Sequence, residues 1–291
     1  SRARFDLSIR SQTSISSGFH QVAFKKHTIA FIDTPGDQNF FSDTKLCMEA
    51  ADAAVVLIDA VDGIKVQTEQ AWEFAADFNL PCLVFINKLD RENASFAKVF
   101  DEAARLLSPK PIMVQLPIGQ EAEFNGVVDL VSLKAWTYDH AGKVSSTEIP
   151  SDLQDEVTRQ REALIENVAE ADDELLERYL EGETPTEEQI RTALRKGTLA
   201  RQFVPVLCGS ATLNIGVDLL QEMVLGALPS PLDRPPRIGV DPASGEPAER
   251  PSSAEAPFSA FVFKTVADPY AGRLSIMRVV SGTLGSDGTF Y

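Results

Sequence analysis

The 291-residue chain lacks any apolar run of the roughly 18 residues that a membrane-spanning helix requires. Basic residues are also scarce, with 27 Lys and Arg against 43 Asp and Glu and a net charge of −16. Because binding along a nucleic-acid backbone needs clustered Lys and Arg, direct DNA binding is not expected. The three cysteines, Cys47, Cys82 and Cys208, match no metal-ligand spacing, which predicts buried, reduced thiols in a cytosolic protein.

A phosphate-binding loop is also absent. No G-x-x-x-x-G-K-[ST] motif occurs, so nothing in the sequence can cradle a β-phosphate with backbone amides and a lysine. The remaining composition, 44% hydrophobic and 24% charged, is that of an ordinary globular protein.

Four short apolar runs rich in Val and Ile predict strands buried on both faces of a parallel sheet. They span residues 27–33, 53–60, 81–88 and 202–210. Helical patterns separate them, including an apolar stripe from Phe96 to Leu107. The alternation predicts a doubly wound α/β fold with a mostly parallel sheet, in which ligands bind at the carboxyl ends of the strands.

The polar residues that end these strands predict a guanine-binding site. The motifs are "DTPG" at 33–36, "NKLD" at 87–90 and "GSA" at 209–211. Each motif alone is common in turns, whereas the three together at this spacing are unlikely to occur by chance. A carboxylate such as Asp90 can accept hydrogen bonds from the N1–H and exocyclic amino group of guanine, whereas adenine would leave it unpaired.

Other residues of these motifs suit the rest of a guanine nucleotide. The aliphatic stem of Lys88 can lie on the face of the base, and Asn87 can tie neighbouring loops together. The backbone N–H groups of Ser210 and Ala211 suit the guanine O6 acceptor.

Two residues of the first motif suit the phosphates. Asp33 suits Mg²⁺, through a water molecule, and the Gly36 N–H can approach a γ-phosphate because no Cβ intervenes. The predicted ligands are therefore GTP or GDP with Mg²⁺.

These motifs resemble those of translational GTPases, and longer stretches are similar to elongation factor G over nearly the whole chain. They include "VDGIKVQTEQAW", "YLEGETPTEEQIRTALRKGT" and "FKTVADPYAGRLSIMRVVSGTL". The resemblance implies a P-loop-GTPase-like fold in a cytoplasmic translation factor that couples GTP binding and hydrolysis to ribosome interaction. It also implies a monomer.

The resemblance and the composition together predict the domain organisation. A GTP-binding domain covers 1–111 and 203–228, an inserted acidic α+β subdomain covers 112–202, a Pro-rich linker covers 229–256, and residues 257–291 begin a β-barrel. The phosphate-binding loop and a central strand are expected upstream of Ser1, because a sheet without that strand would have unpaired edges. The chain by itself is therefore expected to bind nucleotide weakly or not at all.

The inserted subdomain carries most of the excess negative charge. Residues 148–188 contain 15 Asp and Glu against three Arg and no Lys. This pattern is typical either of a solvated helical surface or of a docking face for a basic partner, and the resemblance implies the ribosomal stalk protein. Within this subdomain, Thr184, Pro185 and Glu187 predict a helix start with a capping box, and Gly197 predicts its end.

Two positions depart from the pattern of elongation factor G. Asp37 occupies the position of a His that orients the attacking water. Electrostatic repulsion between a carboxylate and a γ-phosphate oxygen about 5 Å away costs roughly 3 kcal/mol at an effective dielectric near 20. The carboxylate could, however, accept a proton and act as a general base. Two functions therefore stay open: a GTP-hydrolysing translation factor, or a GTP-binding regulatory paralogue with slow or absent hydrolysis.

The second departure is Ser14, which stands where elongation factor G has a magnesium-binding Thr. Its hydroxyl is an equally good oxygen ligand for Mg²⁺. The alternative interpretation is an exposed serine in a mobile loop.

Overall fold

The computed structural model describes residues 14–139, 142–241, 244–268, 270 and 272–285. The strands are β1 (Gly18–Phe24), β2 (His27–Asp33), β3 (Ala54–Asp59), β4 (Cys82–Asn87), β5 (Lys110–Met113), β6 (Gln115–Ile118), β7 (Gly126–Asp129), β8 (Lys134–Tyr138), β9 (Val144–Thr147), β10 (Phe203–Cys208), β11 (Arg237–Val240), β12 (Pro247–Arg250), β13 (Ser259–Asp268) and β14 (Gly272–Ser281). The α-helices are α1 (Phe41–Glu49), α2 (Val66–Asp77), α3 (Phe96–Leu106), α4 (Gln154–Ala169), α5 (Asp173–Leu180), α6 (Glu187–Leu199) and α7 (Val217–Ala227). Within the described ranges, none of the helices combines the length and apolar character needed to cross a membrane.

The chain divides into two compact units, one formed by residues 52–235 and the other by residues 1–51 with 236–291. The larger unit is built on a four-stranded parallel sheet in the order β3-β4-β10-β5. Every residue of β10 and all of β4 except Asn87 are buried. The α/β class and the three strands predicted in this part of the chain are therefore confirmed.

Strand β10 lies between β4 and β5, although the chain forms a second sheet and three helices before it returns. Val206 pairs with Val84 on one side and with Met113 on the other. The intervening segment forms an antiparallel sheet in the order β6-β7-β8-β9, followed by α4, α5 and α6. Because β3, β4 and β10 are parallel, their carboxyl ends meet at one edge of the sheet.

The start of α6 differs from the prediction. Thr186 caps the helix, and Thr186 Oγ1 accepts a hydrogen bond from the Gln189 N–H at 3.3 Å. In return, Gln189 Oε1 accepts from the Thr186 N–H at 2.8 Å. The predicted box at Thr184 was wrong because both threonines precede a Glu or Gln by three residues, so the sequence pattern fits either register.

The end of α6 also differs, because the helix runs through Gly197 to Leu199. A Cβ on Gly197 would lie only 2.2 Å from Cζ of the Phe203 ring. The glycine therefore allows close packing of α6 against β10 and does not end the helix.

In the smaller unit, β2 forms an antiparallel hairpin with β1, so its predicted place in the parallel sheet was wrong. The pairing runs from Gly18↔Asp33 to Phe24↔His27. The turn residues Lys25 and Lys26 have φ values of 45° and 65°. Such two-residue turns usually contain Asn or Gly, and two lysines give no such signal.

The remaining strands of the smaller unit form two further hairpins, β11–β12 and β13–β14. The first lies within the Pro-rich stretch predicted as a linker, and the second within the predicted start of a β-barrel. A small apolar core joins α1 to β13 through Cys47, Ala50 and Phe263. All three cysteines of the chain are buried and unbridged, as predicted.

Two helical glycines give opposite expectations for substitution by alanine. Gly197→Ala should lower the free energy of unfolding by roughly 1–2 kcal/mol, because overpacking against Phe203 outweighs the gain in helix propensity. Gly226→Ala in α7 should raise it by about 0.5 kcal/mol, because the site is exposed with no atom within 4 Å of the new Cβ. Urea unfolding measures both, and changes of the same sign would contradict the packing role of Gly197.

Candidate functional site

The carboxyl edge of the parallel sheet carries the residues predicted to recognise a base. Asn87 ends β4, and its Oδ1 accepts hydrogen bonds from the backbone N–H of Lys88 at 2.8 Å and of Ala211 at 2.9 Å. The Leu89 N–H donates to the Gly209 carbonyl at 3.3 Å. The "NKLD" and "GSA" loops are thereby joined, although more than 100 residues separate them in the chain.

Lys88 is held at this edge by a charged partner. Its backbone adopts a left-handed conformation with φ 68°, and its Nζ donates to Asp59 Oδ2 at 2.5 Å. Burial of the Asp59 carboxylate opposes its ionisation. The bonds from Lys88 and from the backbone N–H groups of Val61 and Asp62 outweigh that effect and lower the pKa of Asp59. Sequence analysis missed this partnership, for which the only signal was the position of Asp59 at a strand end.

Asp90 presents a buried acceptor. No hydrogen-bond donor among the described residues reaches its Oδ1, which is shielded from solvent. Leaving such an oxygen unpaired costs roughly 1–3 kcal/mol. A ligand with an N–H group at this point would remove that cost, which fits a guanine edge.

The loop after β10 is closed by its own backbone. The Ser210 N–H donates to the Ile215 carbonyl at 3.0 Å, and the Ile215 N–H donates to the Ser210 carbonyl at 2.9 Å. Ser210 is fully buried, whereas Ala211 is exposed. Both N–H groups predicted for guanine O6 therefore have partners within the chain, and the exposed Ala211 N–H is the one that a ligand can share with Asn87.

In the smaller unit, the "DTPG" segment leads from β2 into a short 3₁₀ helix, Gln38–Phe40. Asp33 is exposed at the end of β2. The buried Thr44 hydroxyl donates to the Pro35 carbonyl at 2.7 Å, which fixes the turn. No atom lies within 4 Å of the position that a Cβ on Gly36 would occupy, so the backbone there is open to a ligand.

Asp37 caps the 3₁₀ helix. Its Oδ1 accepts from the backbone N–H of Asn39 at 2.9 Å and from Asn39 Nδ2 at 2.8 Å. Asp is among the best helix-capping residues, so the local turn gives this carboxylate a structural role that sequence analysis did not consider.

The predicted magnesium ligands are Ser14 and Asp33, both of which are exposed. The described residues contain no group of three or more His, Cys, Asp or Glu that could hold a metal ion. Mg²⁺ commonly takes one or two protein oxygens and completes its shell with phosphate oxygens and water. A hydroxyl and a carboxylate are therefore a suitable donor set for an ion that arrives with a nucleotide.

An ion pair that sequence analysis missed fixes the segment after Ser14. Asp43 Oδ2 accepts from the Ser17 N–H at 2.8 Å, from the Ser17 hydroxyl at 2.5 Å and from Lys264 Nζ at 2.7 Å. Lys264 Nζ also donates to the Ser16 hydroxyl at 2.9 Å. Burial disfavours the charge on Asp43, but these bonds outweigh it and lower the pKa of the carboxyl group.

Comparison with known proteins agrees with a nucleotide-binding α/β domain. The sequence family described as the elongation factor Tu GTP-binding domain matches residues 4–230 of the chain. Over 270 residues the chain is 43% identical to elongation factor G from Aquifex pyrophilus, covering 92% of this chain and 39% of that protein. It also resembles a crystal structure of a Thermus thermophilus protein, with a TM-score of 0.80 and 30% identity, covering 93% of this chain and 38% of that one.

The chain therefore belongs to the elongation factor Tu GTP-binding domain family, and within it to the elongation factor G branch of translational GTPases. It spans only 39% and 38% of the lengths of these two relatives.

The Asp43 ion pair should make stability depend on pH. Asp43→Asn should lower the free energy of unfolding by roughly 1–3 kcal/mol at pH 7, where the carboxylate is charged. Because the folded-state pKa is lowered, this contribution is complete above the ordinary pKa of about 3.9 and is lost as the pH falls further. The difference in unfolding free energy between the native protein and Asp43→Asn should therefore be smaller at pH 3 than at pH 7, which urea unfolding at the two pH values measures.

A matched control is Asp62→Asn, which removes an exposed pair with Lys65. Its cost should stay below about 1 kcal/mol at either pH. Equal costs for the two variants at pH 7 would contradict the role given to Asp43.

Proposed function

We propose that this chain recognises guanine nucleotides within a GTP-binding translation factor that couples GTP binding and hydrolysis to ribosome interaction. The observation that carries the proposal is the unpaired, buried Oδ1 of Asp90, three residues after Asn87, whose side chain bonds to Ala211. A carboxylate left without a donor at the ligand-binding edge of a parallel sheet suits the N1–H and amino group of guanine.

In this proposal the base is held by the "NKLD" and "GSA" loops. Asp90 accepts from the guanine N1–H and amino group, and the aliphatic stem of Lys88 covers one face of the ring. Asn87 joins the two recognition loops. The N–H of the exposed Ala211 serves guanine O6, and the buried Ser210, predicted as a second donor, supports the loop through its bonds to Ile215.

The residues proposed for the phosphates belong to the "DTPG" motif and the segment before it. Asp33 and Ser14 are the proposed protein ligands of Mg²⁺, and the open backbone at Gly36 is the proposed contact for a γ-phosphate. A bound Mg²⁺ would offset the negative charge of the phosphates.

The proposed partner is the ribosome, in the cytoplasm, with the chain acting as a monomer. The acidic segment 148–188 is the proposed docking surface for the stalk protein, because most of its acids have no basic neighbour in sequence to neutralise them. The pairs of Arg159 with Glu156 and of Arg178 with Glu183 lie within the segment and leave its net charge unchanged, while Asp172 and Glu187 pair with Lys196 and Arg191 outside it. A basic partner would be attracted by the remaining charge.

A second candidate is a GTP-binding regulatory protein with slow or absent hydrolysis. One observation favours it: Asp37, which the resemblance places at the position of the usual His, is engaged as a helix cap. A carboxylate held in this way stabilises the turn without donating a proton to developing charge on a phosphate.

Base recognition is tested by Asp90→Asn in the gene product that carries this chain. An asparagine offers one acceptor and one donor, which matches xanthine and mismatches guanine. GDP affinity should fall by about 10- to 1,000-fold while affinity for xanthosine diphosphate rises. Equilibrium binding measures both, with Asp101→Asn on the exposed face of α3 as the control. Unchanged GDP affinity in Asp90→Asn would rule out the proposed base contact.

The role of Asp37 is tested by two substitutions with different capping ability. Asp37→Asn keeps a good helix cap and removes the charge, whereas Asp37→His restores the family residue at a cost of about 1 kcal/mol in capping. If Asp37 acts only as a cap, Asp37→Asn should hydrolyse GTP at the native rate with ribosomes, and Asp37→His should be faster. A loss of more than about 100-fold in Asp37→Asn would instead identify Asp37 as a general base.

A further inference from the structure

The loop that carries Ser210 and Ala211 ends at a residue with an unusual backbone. Gly216 has φ 77°, and a Cβ there would lie 2.5 Å from the carbonyl oxygen of Cys208, the last residue of β10. The loop therefore returns to the strand it left, and α7 begins directly after it. Ala211 lies in the loop between these residues, so contacts to the end of β10 or to the start of α7 restrain the loop that carries it.

Tyr138, at the end of β8 in the antiparallel sheet, holds the far end of this loop. It is 7% exposed, and its hydroxyl donates to Asp218 Oδ1 in the first turn of α7 at 2.5 Å. Burial, together with the bond to Asp218, raises the pKa of Tyr138 far above its usual range, so the hydroxyl stays protonated and remains a donor.

Gln115, in β6 of the same sheet, holds the near end of the loop. It is 2% exposed, and its Oε1 accepts from the Cys208 N–H at 3.1 Å. Buried polar side chains are costly unless paired, so both contacts are specific. Two strands of the antiparallel sheet thus supply one polar anchor at each end of the recognition loop.

We propose that Tyr138 is a positioning residue for guanine selectivity, which acts with Gln115 to hold the Ala211 N–H in place for the O6 atom of the base. The inference rests on the proposed function, since it concerns the same site. Tyr138 does not touch the nucleotide and acts through Asp218 in the first turn of α7, directly after the loop. The antiparallel sheet becomes a determinant of nucleotide affinity.

The test is Tyr138→Phe in the gene product that carries this chain, with Tyr179→Phe in α5 as the matched control. Each variant loses one hydroxyl from a tyrosine outside the base-recognition loops. Binding is measured for GDP, for inosine diphosphate, which lacks the amino group, and for 6-thio-GDP, which replaces O6 by a weaker acceptor. Tyr138→Phe should weaken GDP binding by about 3- to 10-fold and reduce the preference for GDP over 6-thio-GDP. The preference for GDP over inosine diphosphate, which reports Asp90, should not change.

A second readout separates positioning from a general loss of stability. Amide hydrogen exchange in Tyr138→Phe should accelerate at residues 210–216 and stay at the native level in β4. Uniform acceleration across the larger unit, or an unchanged preference for GDP over 6-thio-GDP, would overturn the inference. Failure of the proposed function looks different, because the unmodified protein would then fail to prefer GDP over inosine diphosphate.

Discussion

The position of β10 between β4 and β5 is the constraint on which the rest of the larger unit depends. Every side chain of β10 is buried, and its parallel pairing on both sides fixes where the chain must leave and re-enter the sheet. Because of that placement, the residues after β10 emerge beside those after β4. The hydrogen bond between Asn87 and Ala211 is a direct result.

Hydrogen bonds to backbone carbonyl groups attach the acid-rich segment to the rest of the larger unit. The Leu130 N–H donates to the Val114 carbonyl at 3.0 Å, so the antiparallel sheet continues directly from the end of β5. Arg161 donates to the carbonyl groups of Leu130 and Val131, and Arg195 to those of Gly226 and Leu228. These bonds hold the acid-rich segment against the rest of the larger unit, and Arg195 also pairs with Asp233 at 2.9 Å.

Local patterns in the sequence were sufficient for some features and insufficient for others. The apolar runs at 53–60, 81–88 and 202–210 predict β3, β4 and β10, because burial on both faces leaves a direct signal in composition. The capping role of Asp37 also depends on neighbouring residues only, but the resemblance assigns this position to catalysis, and the sequence analysis therefore considered no structural role for it. Contacts such as Tyr138 with Asp218 and Asp43 with Lys264 join residues 80 and 221 positions apart, and no periodicity encodes such pairs.

The pairing of Val206 with Val84 also determines when the sheet can form during synthesis of the chain. At a synthesis rate of about 5–20 residues per second, β4 leaves the ribosome roughly 6 to 24 s before β10 is available to cover its open edge. During that interval a strand that is apolar except for Asn87 is exposed to other chains, since non-local pairing cannot begin earlier. The order of the strands therefore makes the nascent chain a natural client for chaperones until its later half has been synthesised.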